Sequence, residues 1–75
     1  MNKVELKQLL ISSGVPKDLF SLDGGLPNES LCLNNADGIW EVYYSERGMK
    51  SQLQKFTSEE EACNYFYKNV LELLS

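Results

Sequence analysis

The segment that most constrains the fold of this chain is residues 39–45, Ile-Trp-Glu-Val-Tyr-Tyr-Ser. β-Branched and aromatic residues dominate it, as they do in β-strands. Turn residues bound it on both sides, because Asp37-Gly38 is a pair that tight hairpins favour and Gly48 is free to adopt a positive φ. The sequence therefore predicts a three-stranded antiparallel meander, with strands at about 30–33, 39–45 and 50–56, a turn at 34–38 and a hairpin loop at 46–49.

Leucines at helical spacing predict an amphipathic helix before the meander, over residues 2–13. Asn2 is suited to cap the start of this helix, and Gly14 is suited to the left-handed position that ends one. The predicted connection to the first strand consists of a short helical turn at 16–19 and a loop at 23–28.

A second helix is predicted after the meander, over about 58–73. Its N-cap is either of two residues, since the capping-box pattern occurs twice, at Thr57-x-x-Glu60 and Ser58-x-x-Glu61. The acidic residues of its first turn complement the positive end of the helix dipole. Its apolar stripe consists of Ala62, Phe66, Val70 and Leu73. To be buried, this stripe must pack against an apolar surface elsewhere in the protein.

Strand alternation divides the central strand into two faces. One face carries Trp40, Val42 and Tyr44. Since two helices are available and one sheet needs cover, the simplest packing places both helices on this face and gives an α+β domain. The opposite face, with Cys32, Glu41 and Tyr43, is then predicted to be open to solvent or to a partner.

The third predicted strand does not alternate cleanly. Leu53 and Phe56 are an odd number of positions apart, so they share a face only if the strand contains a β-bulge. The sequence leaves both a bulged and a regular strand open.

A length of 75 residues predicts a single small domain, 1–75, with a thin core. The chain contains no histidine, which removes the commonest metal ligand and the side chain best suited to acid–base catalysis near neutral pH. It also offers no nucleophile–histidine pair and no glycine-rich phosphate loop after a strand. The sequence therefore predicts no enzymatic activity, no cofactor and no metal site.

The N-terminal residues carry charges and only a short apolar run at 9–11. This run is too short for a signal peptide or a membrane span, so the predicted location is the cytoplasm, with no membrane partner. Cys32 and Cys63 are then expected to stay reduced. Because they form no Cys-x-x-Cys pair, both are interpreted as small, half-buried apolar side chains.

A formal net charge of −4 opposes binding to nucleic acid, which depends on cationic side chains at the phosphates. A basic protein is the partner that this charge favours. Acidic residues lie on or beside the strongest predicted hairpin, at Asp37, Glu41 and Glu46. Together with the Tyr43 ring as an anchor, these charges form a contact suited to steering such a partner. Composition alone nevertheless favours a solvated sheet face without any partner.

Four runs of the sequence carry a family resemblance. They are Gly-Gly-Leu-Pro-Asn-Glu at 24–29, Cys32-Leu33, Gly38-x-Trp40-Glu41-Val42-Tyr43-Tyr44-Ser45-Glu46-Arg47-Gly48-x-Lys50, and Glu61-Ala62-Cys63-x-Tyr65-Phe66. Together they resemble small bacterial immunity proteins of polymorphic-toxin and contact-dependent inhibition systems. The most specific portion is 40–48, because a hairpin by itself requires no such string of residues.

The resemblance implies a small cytoplasmic protein that binds and neutralises a cognate toxin domain. Toxins of such systems are often nucleases with basic active-site grooves. The residues expected to contribute to the binding face are Asp37, Glu41, Tyr43, Glu46 and Arg47. The alternative is a small adaptor or regulatory domain without a toxin partner, which binds another protein or associates with itself through the open sheet face. Monomer and homodimer are both compatible with the sequence.

Overall fold

The structure, a computed structural model, describes residues 1–74. Its elements, in chain order, are α1 (Lys3–Ser12), a 3-10 turn (Lys17–Leu19), β1 (Phe20–Ser21), β2 (Ser30–Ala36), β3 (Ile39–Glu46), β4 (Met49–Phe56) and α2 (Glu59–Leu74). The four strands form one sheet in the order β1-β2-β3-β4. The predicted α+β class is confirmed.

The prediction of a three-stranded sheet was wrong, because β1 adds a fourth strand. β2, β3 and β4 are antiparallel and form the expected meander, whereas β1 pairs with β2 in parallel. Phe20 lies opposite Leu31, and Ser21 lies opposite Cys32. A strand of two residues is too short to show any alternation in the sequence, so nothing at residues 20–21 signals it.

Both hairpins of the meander close with two-residue turns. Asp37 and Gly38 have φ values of 53° and 86°, and Arg47 and Gly48 have φ values of 52° and 74°. Positive φ at both central residues is the turn geometry that matches the twist of a hairpin. Because the first turn is this tight, β2 continues to Ala36, where the sequence predicted a turn from residue 34.

The two helices begin as their capping residues predict. The Asn2 side chain accepts from Glu5 N at 2.9 Å, and Asn2 N donates to Glu5 Oε1 at 3.1 Å. At α2, Ser58 Oγ accepts from Glu61 N at 3.3 Å, so Ser58 rather than Thr57 is the cap. These contacts satisfy backbone N–H groups that have no partner within the helix.

The two helices run side by side in the same direction. Lys3 N, at the start of α1, donates to Glu59 Oε2 at 2.9 Å, at the start of α2. Further along both helices, at the end of α1 and the middle of α2, the hydroxyls of Ser13 and Tyr67 lie 3.5 Å apart. A carboxylate of α2 therefore caps a free N–H group of α1, in addition to lying in the first turn of its own helix.

One buried apolar cluster joins both helices to the sheet. α2 packs across β2, β3 and β4, and α1 packs against α2. Both helices contribute to the same core as Leu33 and Val42, which places them on the predicted face. The cluster consists of Leu6, Leu10, Val15, Leu22, Leu31, Leu33, Val42, Ala62, Cys63, Phe66 and Val70. The radius of gyration is 11.2 Å, as the chain length leads one to expect.

β4 contains a bulge. Val42 pairs with Gln54 and Tyr44 pairs with Ser51, so two residues of β4 lie opposite Tyr43. One of these two residues, Gln52, has a φ of 54°. The bulge does not bring Leu53 into the core, because Leu53 remains exposed while Phe56 packs against the apolar cluster.

Candidate functional site

The face of the sheet opposite the helices is covered at its centre. Tyr43 is only 1% exposed, and Cys32 and Ser45 are fully buried. The prediction that Cys32 and Tyr43 lie on an open face was therefore wrong. Tyr43 Oη donates to Gly25 O at 2.7 Å, and Lys50 Nζ lies 4.7 Å from the centre of the Tyr43 ring. The loop between β1 and β2 covers this face from one side, and a side chain of β4 covers it from the other.

Local geometry fixes this loop, residues 22–29, against the sheet. Gly24 N donates to Leu33 O at 2.9 Å, and Gly24 O accepts from Ser21 Oγ at 2.9 Å. Gly24 has a φ of 71°, and a Cβ atom there would lie 2.6 Å from Asn34 Oδ1. Only glycine combines this backbone conformation with so close an approach to β2.

Burial also sets the proton affinities on this face. Desolvation, and to a lesser degree Cys32 and Glu41, raises the pKa of Tyr43 to about 12. Desolvation likewise raises the pKa of the Cys32 thiol on this face and of the Cys63 thiol, which lies on α2 in the core. Both cysteines are free and fully buried. They are small packed side chains, as interpreted, but the prediction that they are only half-buried was wrong, and Tyr43 is a structural residue rather than an exposed anchor.

Glu41 belongs to the same structural network. Its side chain is 13% exposed, and its Oε1 accepts from Asn34 Nδ2 at 3.2 Å and lies 3.8 Å from Lys50 Nζ. Lys50 therefore contacts both the Glu41 carboxylate and the Tyr43 ring. Glu41 is largely engaged within the protein and offers little of its charge to a partner.

The other three predicted site residues lie at two separate places. Asp37 lies in the turn before β3, and Glu46 and Arg47 lie where β3 ends. Eight residues of strand span roughly 25 Å, so the two ends of β3 are too far apart to form one compact site. The structure brings together Glu46 and Arg47 and separates both from Asp37.

Glu46 lines a groove of 370 Å³ between the β3–β4 hairpin and the end of α2. We call this the acidic groove. It is lined by Leu31, Tyr44, Glu46, Ser51, Gln52, Asn69, Glu72 and Leu73. Two carboxylates lie among these residues, and none of the lining residues within the described part of the chain is a lysine or an arginine.

The sheet and α2 each contribute one wall of the acidic groove. Leu31 and Tyr44 are cross-strand neighbours of β2 and β3. Ser51 Oγ donates to Tyr44 O at 3.3 Å, and Asn69 Nδ2 donates to Tyr65 O at 2.7 Å, which holds both polar side chains in place. Leu73 is exposed at the rim. The groove therefore combines an aromatic and aliphatic surface with negative charge.

Sequence reasoning missed Tyr44, Glu72 and Leu73 as surface residues. The sequence pattern placed Tyr44 on the helix-covered face of the sheet and Leu73 on the apolar stripe of α2. Both side chains do point towards the space between the sheet and α2, where they line the groove. Helical spacing does not show that α2 extends past the edge of the surface it covers, so Leu73 is exposed although Val70, one turn earlier, is buried. The sequence contains one indication of this exposure, because the charged residue Glu72 lies beside Leu73 at the end of the apolar stripe.

Comparison of the chain with protein-family models, with curated proteins and with solved structures gives no match. Across residues 1–74, no helix is both long and apolar enough to cross a membrane. Over the same residues, no three or more cysteine or carboxylate side chains are grouped so that they could hold a metal ion.

Proposed function

We propose that this chain is an immunity protein, which binds and neutralises a cognate toxin domain in the bacterial cytoplasm through the acidic groove. The observation that carries the proposal is the composition of that groove. It places two carboxylates, Glu46 and Glu72, around the ring of Tyr44 and the exposed side chain of Leu73. A surface of this kind suits a basic protein segment that also presents an apolar side chain.

The chemistry of the partner follows from this arrangement. An inserted apolar side chain would contact Leu31, Tyr44 and Leu73, and flanking lysine or arginine side chains would pair with the carboxylates at the rim. A toxin with a basic substrate groove, such as a nuclease, presents side chains of this type. The negative charge of the whole chain would also speed its encounter with such a partner.

The molecule is large enough for this role. Its accessible surface is 4797 Å², and a specific interface needs about 800 Å² from each partner. Met49, at the start of β4, pairs with Glu46 across the hairpin and its side chain is exposed, so it extends the apolar surface beside the acidic groove. We infer that the interface includes this side chain.

The alternative of self-association through the open sheet face loses its main support. The centre of that face is covered by the loop at 22–29 and by Lys50, so it offers no free surface of the expected kind. A protein-binding adaptor without a toxin partner would use the same acidic groove. The two roles differ in the partner and not in the surface.

The decisive experiment is co-expression of the protein with the toxin domain encoded beside it. We expect survival of cells that make both proteins, and death of cells that make the toxin alone. A Glu46→Lys variant should protect poorly, with an affinity for the toxin lowered about tenfold. Glu29→Lys is the matched control, because Glu29 is also exposed, has the same charge change and lies outside the acidic groove.

Two results would contradict the proposal. Cell death in the presence of the unaltered protein would rule out immunity to that toxin. Equal loss of protection in the two variants would show that overall charge, and not the acidic groove, determines binding. Thermal unfolding of both variants checks that each is folded.

A further inference from the structure

A second groove, of 320 Å³, lies between α1 and the segment that contains β1. We call it the basic groove. Its lining residues are Lys3, Lys7, Ile11, Lys17, Phe20, Leu22 and Asp23. It shares no residue with the acidic groove.

The charge of the basic groove is opposite in sign to the net charge of the molecule. Three of the seven cationic residues of a chain with net charge −4 line it. Its one acidic residue, Asp23, is already paired with Lys3, since the Lys3 Nζ and Asp23 Oδ1 atoms are 2.7 Å apart. This hydrogen bond, with the charges of Lys3 and Lys7, lowers the pKa of the Asp23 carboxyl. Lys7 and Lys17 leave the groove with a net positive charge.

Apolar surface accompanies these lysines. Leu22 is buried and Phe20 half-buried at the base of the groove, and Ile11 at its margin is 50% exposed. The apolar surface continues beyond the groove to Val4, which is 66% exposed. Positions 4, 7 and 11 lie on one face of a helix, so Lys7 lies between two exposed apolar side chains of α1.

We propose that the basic groove docks an acidic amphipathic segment of a partner protein. Carboxylates of the segment pair with Lys7 and Lys17, and its apolar side chains pack on Phe20 and Ile11. This surface is separate from the acidic groove, so the inference does not depend on the proposed immunity function.

The surroundings of the groove favour a protein segment over other anionic ligands. A long polyanion, such as nucleic acid or an anionic membrane, would experience the repulsion of the net negative charge. A short acidic segment lies within about 8 Å of the lysines, the distance over which their charges dominate at physiological ionic strength. A small molecule bound in the groove would leave Val4 uncovered, whereas a segment of chain extends along α1 beyond the groove.

The test uses a synthetic fluorescein-labelled peptide in which glutamates flank two leucines. Binding is followed by fluorescence anisotropy, and the contact surface by backbone amide NMR shifts. We expect saturable binding with shifts at Lys7, Ile11 and Phe20. A Lys7→Glu/Lys17→Glu variant should bind about tenfold more weakly. The control, Lys55→Glu/Lys68→Glu, has the same net charge and changes exposed lysines elsewhere, so its binding should be unaltered.

Several results would overturn this inference. They are the absence of saturable binding, equal weakening in both double variants, and equal binding of a peptide in which the leucines are replaced by serine. Tighter binding to duplex DNA or to phosphatidylserine vesicles than to the peptide would assign the lysines to a different ligand. Glu46→Lys should leave peptide binding unchanged, which separates this test from that of the acidic groove.

Discussion

At the scale of single residues, Tyr43 joins three parts of the molecule. It lies on β3, donates to the loop at Gly25 and contacts Lys50 of β4 with its ring. Tyr43→Phe removes the buried hydrogen bond and keeps the packing, so we expect a loss of about 1 kcal/mol in the free energy of unfolding. Urea denaturation measures it. Tyr67→Phe is the control, because its hydroxyl contact to Ser13 is exposed, and an equal effect there would contradict the assignment.

The same hydroxyl predicts a pH dependence. The pKa of Tyr43 is about 12 in the fold against 10.0 for an unperturbed tyrosine. The fold therefore favours the neutral phenol, and this contribution to stability is complete below pH 10 and is lost as the pH rises towards 12. We expect the stability difference between the unaltered protein and Tyr43→Phe to shrink over that interval. A stability difference that stayed constant over this pH interval would contradict the raised pKa of Tyr43.

Two buried serines on neighbouring strands differ in whether their side-chain hydroxyl makes a hydrogen bond. Ser30 and Ser45 lie opposite each other on β2 and β3. Ser30 Oγ donates to Asp18 O at 2.7 Å, whereas Ser45 Oγ has no hydrogen-bond partner. Ser30→Ala should lower the free energy of unfolding by about 1 kcal/mol, and Ser45→Ala should leave it equal or higher. Chemical denaturation of both variants tests this, and a larger loss at Ser45 would reveal a partner for its hydroxyl.

At the scale of the elements, the loop over the sheet depends on two consecutive glycines with different surroundings. Both have positive φ, but a Cβ at Gly24 would meet Asn34, whereas the nearest atom at Gly25 is 3.9 Å away. Gly25→Ala should cost about 1 kcal/mol through backbone strain alone. Gly24→Ala should cost about 1 kcal/mol more, because Asn34 must move and lose its bond to Glu41. If urea denaturation gave the same loss in the free energy of unfolding for both variants, the Asn34 side chain would be moving aside at no energetic cost.

The elements that the sequence predicted well are those with a repeated pattern. α1, β3 and α2 each span enough residues to show helical or strand periodicity, and their ends lie within about two residues of the prediction. β1 has only two residues, and its parallel pairing depends on where a later part of the chain returns. Local patterns contain no information of that kind.

The candidate site was predicted less well for a related reason. Alternation correctly placed Glu41 and Tyr43 on the face away from the helices, but it does not reveal that a loop covers that face. Glu46 was found because it follows the strongest strand and precedes a turn. Tyr44 and Leu73 were missed because their exposure depends on where the packed layers end, which is a property of the tertiary structure.

At the scale of the whole molecule, charge is separated between the acidic and basic grooves. If a basic toxin binds at the acidic groove, long-range attraction should mainly raise the rate of association. We expect the association rate constant to fall steeply with added salt and the dissociation rate constant to change little. Stopped-flow measurements over a range of salt concentrations test this. Salt dependence confined to dissociation would indicate short-range pairing without steering.

The contact between the starts of the two helices has a consequence for how the protein is made. The Lys3–Glu59 hydrogen bond joins residues 56 positions apart, so the whole sheet lies between the two partners along the chain. During synthesis α1 emerges before α2, so its leucines Leu6 and Leu10 lack the surface of α2 until residues 59–74 have also left the ribosome. The fold should therefore be completed only after α2 has emerged. A chain interrupted before α2 would expose those leucines to cellular proteases.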